Sequence, residues 1–268
     1  MAFGRIWLNW ASSSKMGRKG QPGAMPAEII YGRNAILEAL RAGTPLERVL
    51  VARGKDPQGT LERILAQAKS RGVPVEVVGE AKMDRLAPRH QGVCAYARPF
   101  SYSTLEGMLA LAKKRGEPPF VLLLDCLQDV HNLGSLVRTA EAVGIHGLIL
   151  PERRAVGITP AVRKASAGAV EHLLITRVVN LARAMARLKD EGLWIVGIEN
   201  LPQAQEYEAF DYSGPLALVV GSEGRGLRSL VRAGCDALVK LPMRGELSSL
   251  NAAVAGSIVL YHALRARE

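Results

Sequence analysis

Aromatic residues and cysteines are scarce in this chain of 268 residues. Phe, Trp and Tyr make up 5% of it, and its three cysteines, Cys94, Cys126 and Cys235, are far apart. Scattered thiols without a CxxC spacing exclude a disulfide framework and disfavour a structural zinc site. We therefore predict a cytoplasmic protein with reduced thiols and no metal centre.

Long apolar runs are also missing. No run approaches the roughly 18 residues that a membrane span needs, so we expect no membrane partner of that kind. Acidic residues are outnumbered 35 to 25, which leaves a net charge of +10. That excess favours a polyanionic partner, although charge alone leaves both nucleic acid and an acidic membrane surface open.

Four of the ten positive charges lie in residues 1–24, a segment without acidic residues or a sustained apolar period. It lacks the continuous apolar segment of a secretory signal. We predict a disordered basic tail that is dispensable for folding and activity. It is either an arm that touches RNA or a mis-assigned start upstream of Met25.

The apolar pattern after the tail predicts two α/β units. Residues 25–100 alternate short strands and helices as a compact module, and residues 101–118 end in a basic, proline-containing stretch that we interpret as a linker. Residues 119–268 begin with the continuous apolar run Phe120–Leu124, which is typical of a strand covered on both faces. Regular alternation then predicts a mainly parallel sheet, with ligands at the carboxyl ends of its strands.

A polar motif follows the first strand of the second unit. Asn132 is placed to cap a helix over Leu133–Val143, and Gly134 permits close approach of a backbone or a ligand. Arg138 follows four residues later, and its guanidinium can grip a phosphate through its fork of N–H donors. From this segment alone, a surface arginine that pairs with Glu141 is the simpler interpretation.

A glycine-rich turn follows another buried strand. Its glycines stand in the order GxxGxG from Gly221 to Gly226, which differs from the GxGxxG dinucleotide fingerprint and disfavours an NAD-dependent oxidoreductase. Glu223 within the turn would repel an anion, so it suits contact with an arginine or a hydroxyl. The simpler alternative is a connection that only turns the chain.

A third polar loop precedes the last helix. Pro242 and Gly245 bend the chain after a strand, and either Ser249 or Asn251 would serve as the N-cap of the helix. That helix, predicted over 251–267, is apolar almost all round. We expect it to be buried or to form a dimer contact.

In combination, the three segments resemble the SpoU (TrmH) branch of the SPOUT RNA methyltransferases. They match its N-x-G-x-x-x-R, G-x-E-x-x-G-like and P-M-…-S-L-N motifs, in that order, over about 120 residues. The resemblance continues through Lys164–His172. Tyr31–Ala35 and His90–Val93 look like the ribosomal-protein-like module that precedes the catalytic domain in the 23S ribosomal RNA guanosine methyltransferases of this branch. Val130 and Ala252-Ala253 depart from common family residues but replace no polar motif residue.

The resemblance implies a fold, a cofactor and a reaction. The fold would be α/β, a mainly parallel sheet with a C-terminal trefoil knot, preceded by a small α/β RNA-binding module and assembled as a homodimer. S-adenosylmethionine would bind in the knot and donate a methyl group to a ribose 2′-hydroxyl in structured RNA, with a guanosine of 23S ribosomal RNA as the favoured target. The matching positions are Arg138, Glu223, Ser249 and Asn251 for catalysis, and Gly221, Leu241, Leu250 and Ile198 for the cofactor.

Each catalytic position has an expected role. Arg138 keeps its proton in almost any protein environment, so we expect it to grip an RNA phosphate and orient the 2′-hydroxyl. Glu223 would position Arg138 or the substrate. Ser249 and Asn251 would orient the hydroxyl and the incoming nucleotide.

RNA contacts are expected from Arg33, Arg89 and His90 in the first unit and from Asn132 in the second, although each charge of the module is equally explained as an ordinary surface residue. The low aromatic content favours recognition of phosphates and shape over base stacking. Two alternatives stay open: a tRNA ribose methyltransferase of the same branch, and a non-catalytic RNA binder of ribosome assembly. The intact polar motif residues speak against the second.

Overall fold

The computed structural model describes residues 27–268, so the predicted tail lies outside the described residues. The first part of the chain forms a four-stranded sheet in the order β1-β4-β2-β3, in which β4 runs antiparallel to β1 and β2 while β2 and β3 are parallel. Its elements are β1 (Glu28–Tyr31), α1 (Arg33–Ala42), β2 (Leu46–Ala52), α2 (Thr60–Ser70), β3 (Val75–Val78), α3 (Glu80–Leu86) and β4 (Val93–Ala97).

Both faces of this small sheet are covered. Ile36 and Leu40 of α1 and Ile64 of α2 pack with strand residues on one face, and Met83 of α3 closes the other. The predicted alternation of the first unit is therefore present, with its apolar stripes turned toward the sheet.

The segment predicted as a linker is largely helical. Helix α4 (Leu105–Arg115) begins after Thr104, whose hydroxyl accepts the N–H of Gly107 at 3.1 Å. Leu105 and Met108 are buried in a core cluster of the second unit. Residues 101–118 thus contain a packed helix because the apolar side of α4 finds a partner on the large sheet.

The second part of the chain forms a seven-stranded sheet in the order β7-β6-β5-β10-β8-β11-β9, and every neighbouring pair is parallel. The sequence pattern missed the two-residue strand β9. The elements are β5 (Phe120–Leu124), α5 (Val130–Ala142), β6 (Gly147–Pro151), α6 (Pro160–Ala165), β7 (Ile175–Val178), α7 (Leu181–Asp190), β8 (Trp194–Ile198), β9 (Gln205–Glu206), β10 (Leu216–Val220), α8 (Ser229–Ala233), β11 (Ala237–Lys240) and α9 (Ala252–Arg265).

The apolar run of β5 explains how this sheet is covered. Leu122 and Leu124 point into a cluster with α5 and α9, while Val121 and Leu123 point into a cluster with α4, α7 and α8. Successive side chains of a strand face opposite sides, so a strand that is apolar throughout needs helices on both faces. The predicted mainly parallel α/β fold is confirmed.

The parallel arrangement brings four strand ends to one edge of the sheet. Asp125 follows β5, Glu199 follows β8, Gly221 follows β10 and Leu241 follows β11. In the order β5-β10-β8-β11 these strands are neighbours, so their following loops meet. Within residues 27–268 no helix is both long and apolar enough to cross a bilayer.

Candidate active site

Three side chains from three separate loops form a hydrogen-bonded cluster at this edge. The amide of Asn251 donates to Glu223 Oε1 at 2.6 Å and to Asn132 Oδ1 at 3.0 Å. The amide of Asn132 also donates to Glu223 Oε1. One polar residue from each sequence motif, Asn132, Glu223 or Asn251, is thus in contact with the other two, as the positions of these loops after parallel strands predict.

Two helices present these asparagines, and their caps differ. Asn251 caps α9, because its Oδ1 accepts the N–H groups of Ala253 at 2.9 Å and Val254 at 3.2 Å. Helix α5 begins earlier than predicted and is capped by Asp129, whose carboxylate accepts the N–H of Asn132 at 2.7 Å. The prediction that Asn132 caps α5 is wrong, and its side chain is free to bind Glu223.

Gly134 has a packing role in this arrangement. A Cβ at this position would lie 2.5 Å from the Ala165 Cβ and 2.8 Å from its carbonyl carbon. The close approach that the glycine permits is therefore that of another backbone, α6. This contact ties helix α5 to the Lys164–His172 segment.

Arg138 lies apart from the cluster. It is exposed on α5, and its guanidinium makes no hydrogen bond or ion pair within the described part of the chain, to Glu141 or otherwise. Glu223 contacts Asn132 and Asn251 rather than Arg138. No contact joins Glu223 and Arg138 within the described residues, and the expectation that Glu223 positions Arg138 or the substrate stays a prediction.

A cavity of about 320 Å³ lies beside the cluster. Its walls contain all four residues predicted to bind the cofactor, Gly221, Leu241, Leu250 and Ile198. Ser249 and Glu223 border the same cavity. Apolar side chains together with residues of a glycine-rich loop give this cleft the mixed lining that small-molecule sites have. We call it the cofactor cavity.

The turn that carries Glu223 is held rigidly. Ser222 and Gly226 exchange backbone hydrogen bonds at 3.1 and 3.0 Å. Fully buried Asp125 accepts the backbone N–H of Arg228 at 2.8 Å and its Nε–H at 2.7 Å. Pairing two loop ends in this way fixes the position of the Glu223 backbone.

A second carboxylate holds the same turn from the other side. Glu199 accepts the N–H of Leu227 at 3.3 Å and both Nε and Nη2 of Arg232 at 2.6 Å. The sequence interpretation missed Asp125 and Glu199. The available signal was an acidic residue immediately after a buried apolar strand, which occurs at both positions.

A second cavity, of about 780 Å³, borders the turn as well. Its walls combine the loop after β5, the Glu223 turn and the loop after β6. The lining residues are Cys126, Leu127, Gln128, Asp129, Arg154, Ser222, Glu223, Arg225, Gly226 and Arg228.

The expected RNA contacts of the first unit lie at its junction with the second. Arg33 donates through its backbone N–H and its Nε–H to Gln91, at 3.0 and 3.2 Å. Lys164 of α6 donates to the carbonyl of Arg89 at 2.7 Å, and its Nζ lies 4.9 Å from the centre of the Tyr31 ring. Cationic side chains of both units therefore share one surface.

His90 does not share that surface. It is 6% exposed, its Nδ1 accepts the N–H of Gly92 at 2.9 Å, and its Nε2 donates to Asp84 at 3.1 Å. The expectation that His90 contacts RNA does not fit this burial. The ring shapes the loop that presents Arg89.

None of the three thiols is an activated nucleophile. Burial raises the pKa of Cys126, with the neighbouring Asp125 carboxylate adding to the effect. Burial raises the pKa of Cys94 to about 11 and that of Cys235 to about 12. All three stay protonated near neutral pH, and thiols are weak nucleophiles in that form. Residues 27–268 contain no cluster of His, Cys, Asp and Glu able to hold a metal ion.

Comparison with known sequences and structures identifies the family. The SpoU rRNA methylase family profile matches residues 119–261, and the substrate-binding profile of the RNA 2′-O ribose methyltransferases matches residues 29–103. YacO of Bacillus subtilis, assigned to the TrmH family of tRNA/rRNA methyltransferases, is 41% identical over 241 residues, which are 90% of this chain and 96% of that protein.

Solved structures of this family share the fold. The SpoU methyltransferase AviRb of Streptomyces viridochromogenes, crystallised in complex with AdoMet, superposes with a TM-score of 0.74 at 25% identity and covers 90% of this chain and 91% of its own. An RNA 2′-O ribose methyltransferase superposes with a TM-score of 0.72 at 26% identity, over 90% of this chain and 89% of its own. The chain is therefore an RNA methyltransferase that belongs to the SpoU (TrmH) family.

Proposed function

We propose that this enzyme transfers a methyl group from S-adenosylmethionine to a ribose 2′-hydroxyl in structured RNA, with a guanosine of 23S ribosomal RNA as the favoured target. The observation that carries the proposal is the contact among Asn132, Glu223 and Asn251 at the border of the cofactor cavity. Polar groups held together beside a cleft can orient a reacting hydroxyl before the reaction begins.

The cofactor cavity suits S-adenosylmethionine. Its volume lies in the range of small-molecule sites, and Ile198, Leu241 and Leu250 offer apolar contact while Gly221 exposes backbone. When bound there, S-adenosylmethionine supplies a methyl group on a sulfonium sulfur and leaves as S-adenosylhomocysteine. No residue of the proposed chemistry requires a metal. The trefoil knot that the family resemblance implies stays a prediction.

Glu223 is the residue we assign to the acceptor hydroxyl. Both asparagine amides donate to its Oε1, and its Oε2 accepts no hydrogen bond from residues 27–268. Oε2 accepts the hydroxyl proton as the oxygen attacks the methyl carbon, and the asparagines hold the carboxylate in place. Ser249, at the edge of the cofactor cavity, orients the substrate, and Arg138 contacts the RNA backbone rather than Glu223.

Residues 25–100 bind the RNA in this proposal. Arg33, Arg89 and Lys164 form a cationic surface that crosses from the small sheet to the catalytic unit, which suits a folded RNA that contacts both. We also place the reaction in the cytoplasm, because the unpaired cysteines of the described residues fit a reducing compartment. A tRNA substrate is the second candidate.

A homodimer is proposed from one face of α9. Ala253, Gly256 and Val259 are buried, whereas Val254, Ile258 and Tyr261 form an exposed apolar stripe at helical spacing. A second copy of the chain is the expected occupant, because an isologous contact would cover both stripes at once. Sedimentation equilibrium should show Ile258→Glu as a monomer and the control Leu230→Glu, at an exposed apolar site on α8, as a dimer. A monomeric wild type would refute this part.

The experiment that tests the reaction uses RNA without prior modification. Transcripts of 23S ribosomal RNA and of tRNAs are incubated with the full chain and methyl-labelled S-adenosylmethionine, then hydrolysed in alkali. A methylated 2′-hydroxyl cannot take part in alkaline cleavage, so label on the ribose appears in alkali-resistant dinucleotides. Label in tRNA alone would overturn the ribosomal assignment. Alkali-labile label would overturn the ribose assignment, and no label despite RNA binding would favour the non-catalytic binder.

A further inference from the structure

The larger cavity beside the Glu223 turn has no role in the function proposed so far. The cofactor cavity and this one share Ser222, Glu223, Arg225 and Gly226 in their walls, and their other walls come from different loops. The two cavities therefore adjoin at this turn, and Glu223 borders both. At about 780 Å³ the second cavity is within the range of sites for drug-sized ligands and cofactors.

The carboxylates in its wall are already bound within the chain. Asp129 accepts the N–H of Asn132 at the start of α5, and Glu223 accepts amide hydrogens from Asn132 and Asn251. Their negative charges are therefore partly compensated by donors of the protein itself.

The arginines of this cavity differ in whether their guanidinium groups are paired with a carboxylate. Arg228 pairs with fully buried Asp125, Nη2 to Oδ1 at 2.6 Å, and its charge is compensated. Arg154 and Arg225 are exposed, and neither guanidinium donates to any other group between residues 27 and 268. The guanidinium groups of Arg154 and Arg225 are thus the charged donors of this wall without a partner in the described residues, and they suit an anion held away from Asp129 and Glu223.

The backbone of this cavity is strained at two places. Cys126 has a φ of +61° and Arg154 a φ of +60°, a conformation that residues other than glycine rarely adopt. Such strain is concentrated at binding and catalytic sites, where the surrounding structure holds it. Arg154 follows β6 and lines this cavity together with the Glu223 turn.

We propose that this cavity receives the acceptor nucleotide, with Arg154 and Arg225 holding a phosphate of the RNA backbone while the ribose 2′-hydroxyl lies against Glu223. The inference rests on the proposed function, because it assigns the substrate side of the same site. A phosphate is the anion that every ribose in RNA carries next to its 2′-hydroxyl. Entry from this side would bring the 2′-hydroxyl to Glu223 where the two cavities meet, so that its oxygen can reach the methyl carbon of a donor in the cofactor cavity.

Arg154 is the residue on which to test this, because it lines only the second cavity whereas Arg225 lines both. Arg154→Ala removes the guanidinium and keeps a non-glycine residue at the strained position. Arg153→Ala is the matched control, since Arg153 is the exposed neighbour and is absent from the wall. Arg154→Lys retains the charge and loses the fork of donors.

The measurements are steady-state methylation of the RNA that the wild type labels, anisotropy with a fluorescein-labelled form of it, and calorimetric titration of S-adenosylmethionine. For Arg154→Ala we expect RNA affinity to fall about tenfold, the effect of losing one charge-assisted hydrogen bond. The slope of log K against log salt should become shallower by about 0.7, the value for one contact to a single strand. S-adenosylmethionine affinity should be unchanged, and Arg154→Lys should keep the wild-type slope.

The outcomes separate the two proposals. If the wild type labels no RNA, the proposed function fails whatever Arg154 does. If the wild type labels RNA but Arg154→Ala matches Arg153→Ala in affinity and salt slope, the acceptor cavity is wrong and the proposed function stands. Loss of S-adenosylmethionine affinity in Arg154→Ala would also overturn the assignment, since it would place Arg154 on the cofactor side.

Discussion

The amide of Asn251 lies 2.6 Å from Glu223 Oε1, while the oxygen of the same side chain accepts the N–H of Ala253 at 2.9 Å. One side chain therefore starts the last helix and also fixes the carboxylate of the preceding turn. Helix capping and active-site geometry depend on the same residue but on different atoms of its side chain. A suitable substitution can therefore remove one contribution and keep the other.

Asn251→Ser should keep the helix cap and lose the amide donors. Serine caps helices about as well as asparagine, so we expect the free energy of unfolding to change by less than about 0.5 kcal/mol. Methyl transfer should fall on the order of 10²-fold, as for the loss of one preorganised donor. Urea unfolding and turnover of labelled RNA measure the two effects. Asn251→Ala, the comparison variant, should also lose about 1 kcal/mol of stability. Full activity of Asn251→Ser would contradict the assigned role.

Glu223→Gln should abolish proton acceptance with little change in shape. We expect kcat to fall by about 10²- to 10⁴-fold, the usual contribution of a general base, with S-adenosylmethionine affinity retained. Glu246→Gln is the control, because Glu246 is exposed, carries the same charge and lies outside both cavities. Equal kcat in the two variants would rule out Glu223 as the base.

Removing one partner of the buried ion pair between Arg163 and Glu171 should lower the free energy of unfolding strongly. Their Nη1 and Oε1 lie 3.0 Å apart, with side chains 1% and 4% exposed, and Thr44 of the first unit donates to the other Glu171 oxygen at 2.6 Å. Arg163→Met leaves a buried carboxylate without its cation, which costs about 3–5 kcal/mol. Urea unfolding gives this value, and Arg163→Met with Glu171→Met should lose less than the sum of the single variants.

An exposed pair provides the matched control for that measurement. Lys82 and Glu76 lie 3.0 Å apart with both side chains more than 40% exposed. Lys82→Met should cost less than about 1 kcal/mol. A loss of that size for Arg163→Met would mean that the pair at the junction of the two units contributes no more than a surface contact.

The protein should lose stability as the pH falls through about 6.5 because of His146. Burial lowers the pKa of this ring below its ordinary value of 6.5, with nearby Arg115 adding to the effect. Its Nδ1 accepts the N–H of Phe120 at 3.0 Å, and its Nε2 donates to Glu117 at 3.0 Å, so the neutral ring is the bound form. The unfolded chain binds a proton near pH 6.5 and the folded chain does not, so stability decreases below that pH.

The measurement is urea unfolding at about pH 7.5 and about pH 5.5, above and below the ordinary histidine pKa. His146→Gln should be less stable than the wild type at the higher pH and should lose less between the two values. An identical loss in both proteins would assign the acid sensitivity to other groups.

Much of the fold was predictable because strands and helix starts are marked by neighbouring residues in the sequence. The continuous apolar run of Phe120–Leu124 indicates a strand covered on both faces, and the structure buries all five residues. Asn180 accepts the N–H of Arg183 at 3.1 Å and so caps α7, a local contact typical of an asparagine at a helix start. The four expected cofactor residues line one cavity, because loops after parallel strands meet at one edge.

The errors concern residues whose role depends on distant partners. The sequence offers His90 as an RNA contact, yet hydrogen bonds to Asp84 and Gly92 hold its ring inside the module. Asn132 is a good N-cap by residue type, but Asp129 takes that role and leaves the amide for Glu223. The phosphate contact expected of Arg138 stays a prediction, since within the described residues its guanidinium bonds to no other motif residue.

The sequence by itself determined the α/β class, the order of the strands and helices along the chain and the three polar motifs, since periodicity, turn residues and spacing are properties of neighbouring positions. Only the tertiary structure decided which motif residues touch. Asn132 and Asn251 are 119 positions apart and meet because β5 and β10 pair in parallel while α5 packs on α9. Hydrogen bonds over that separation depend on the path of the chain, and no local pattern records it.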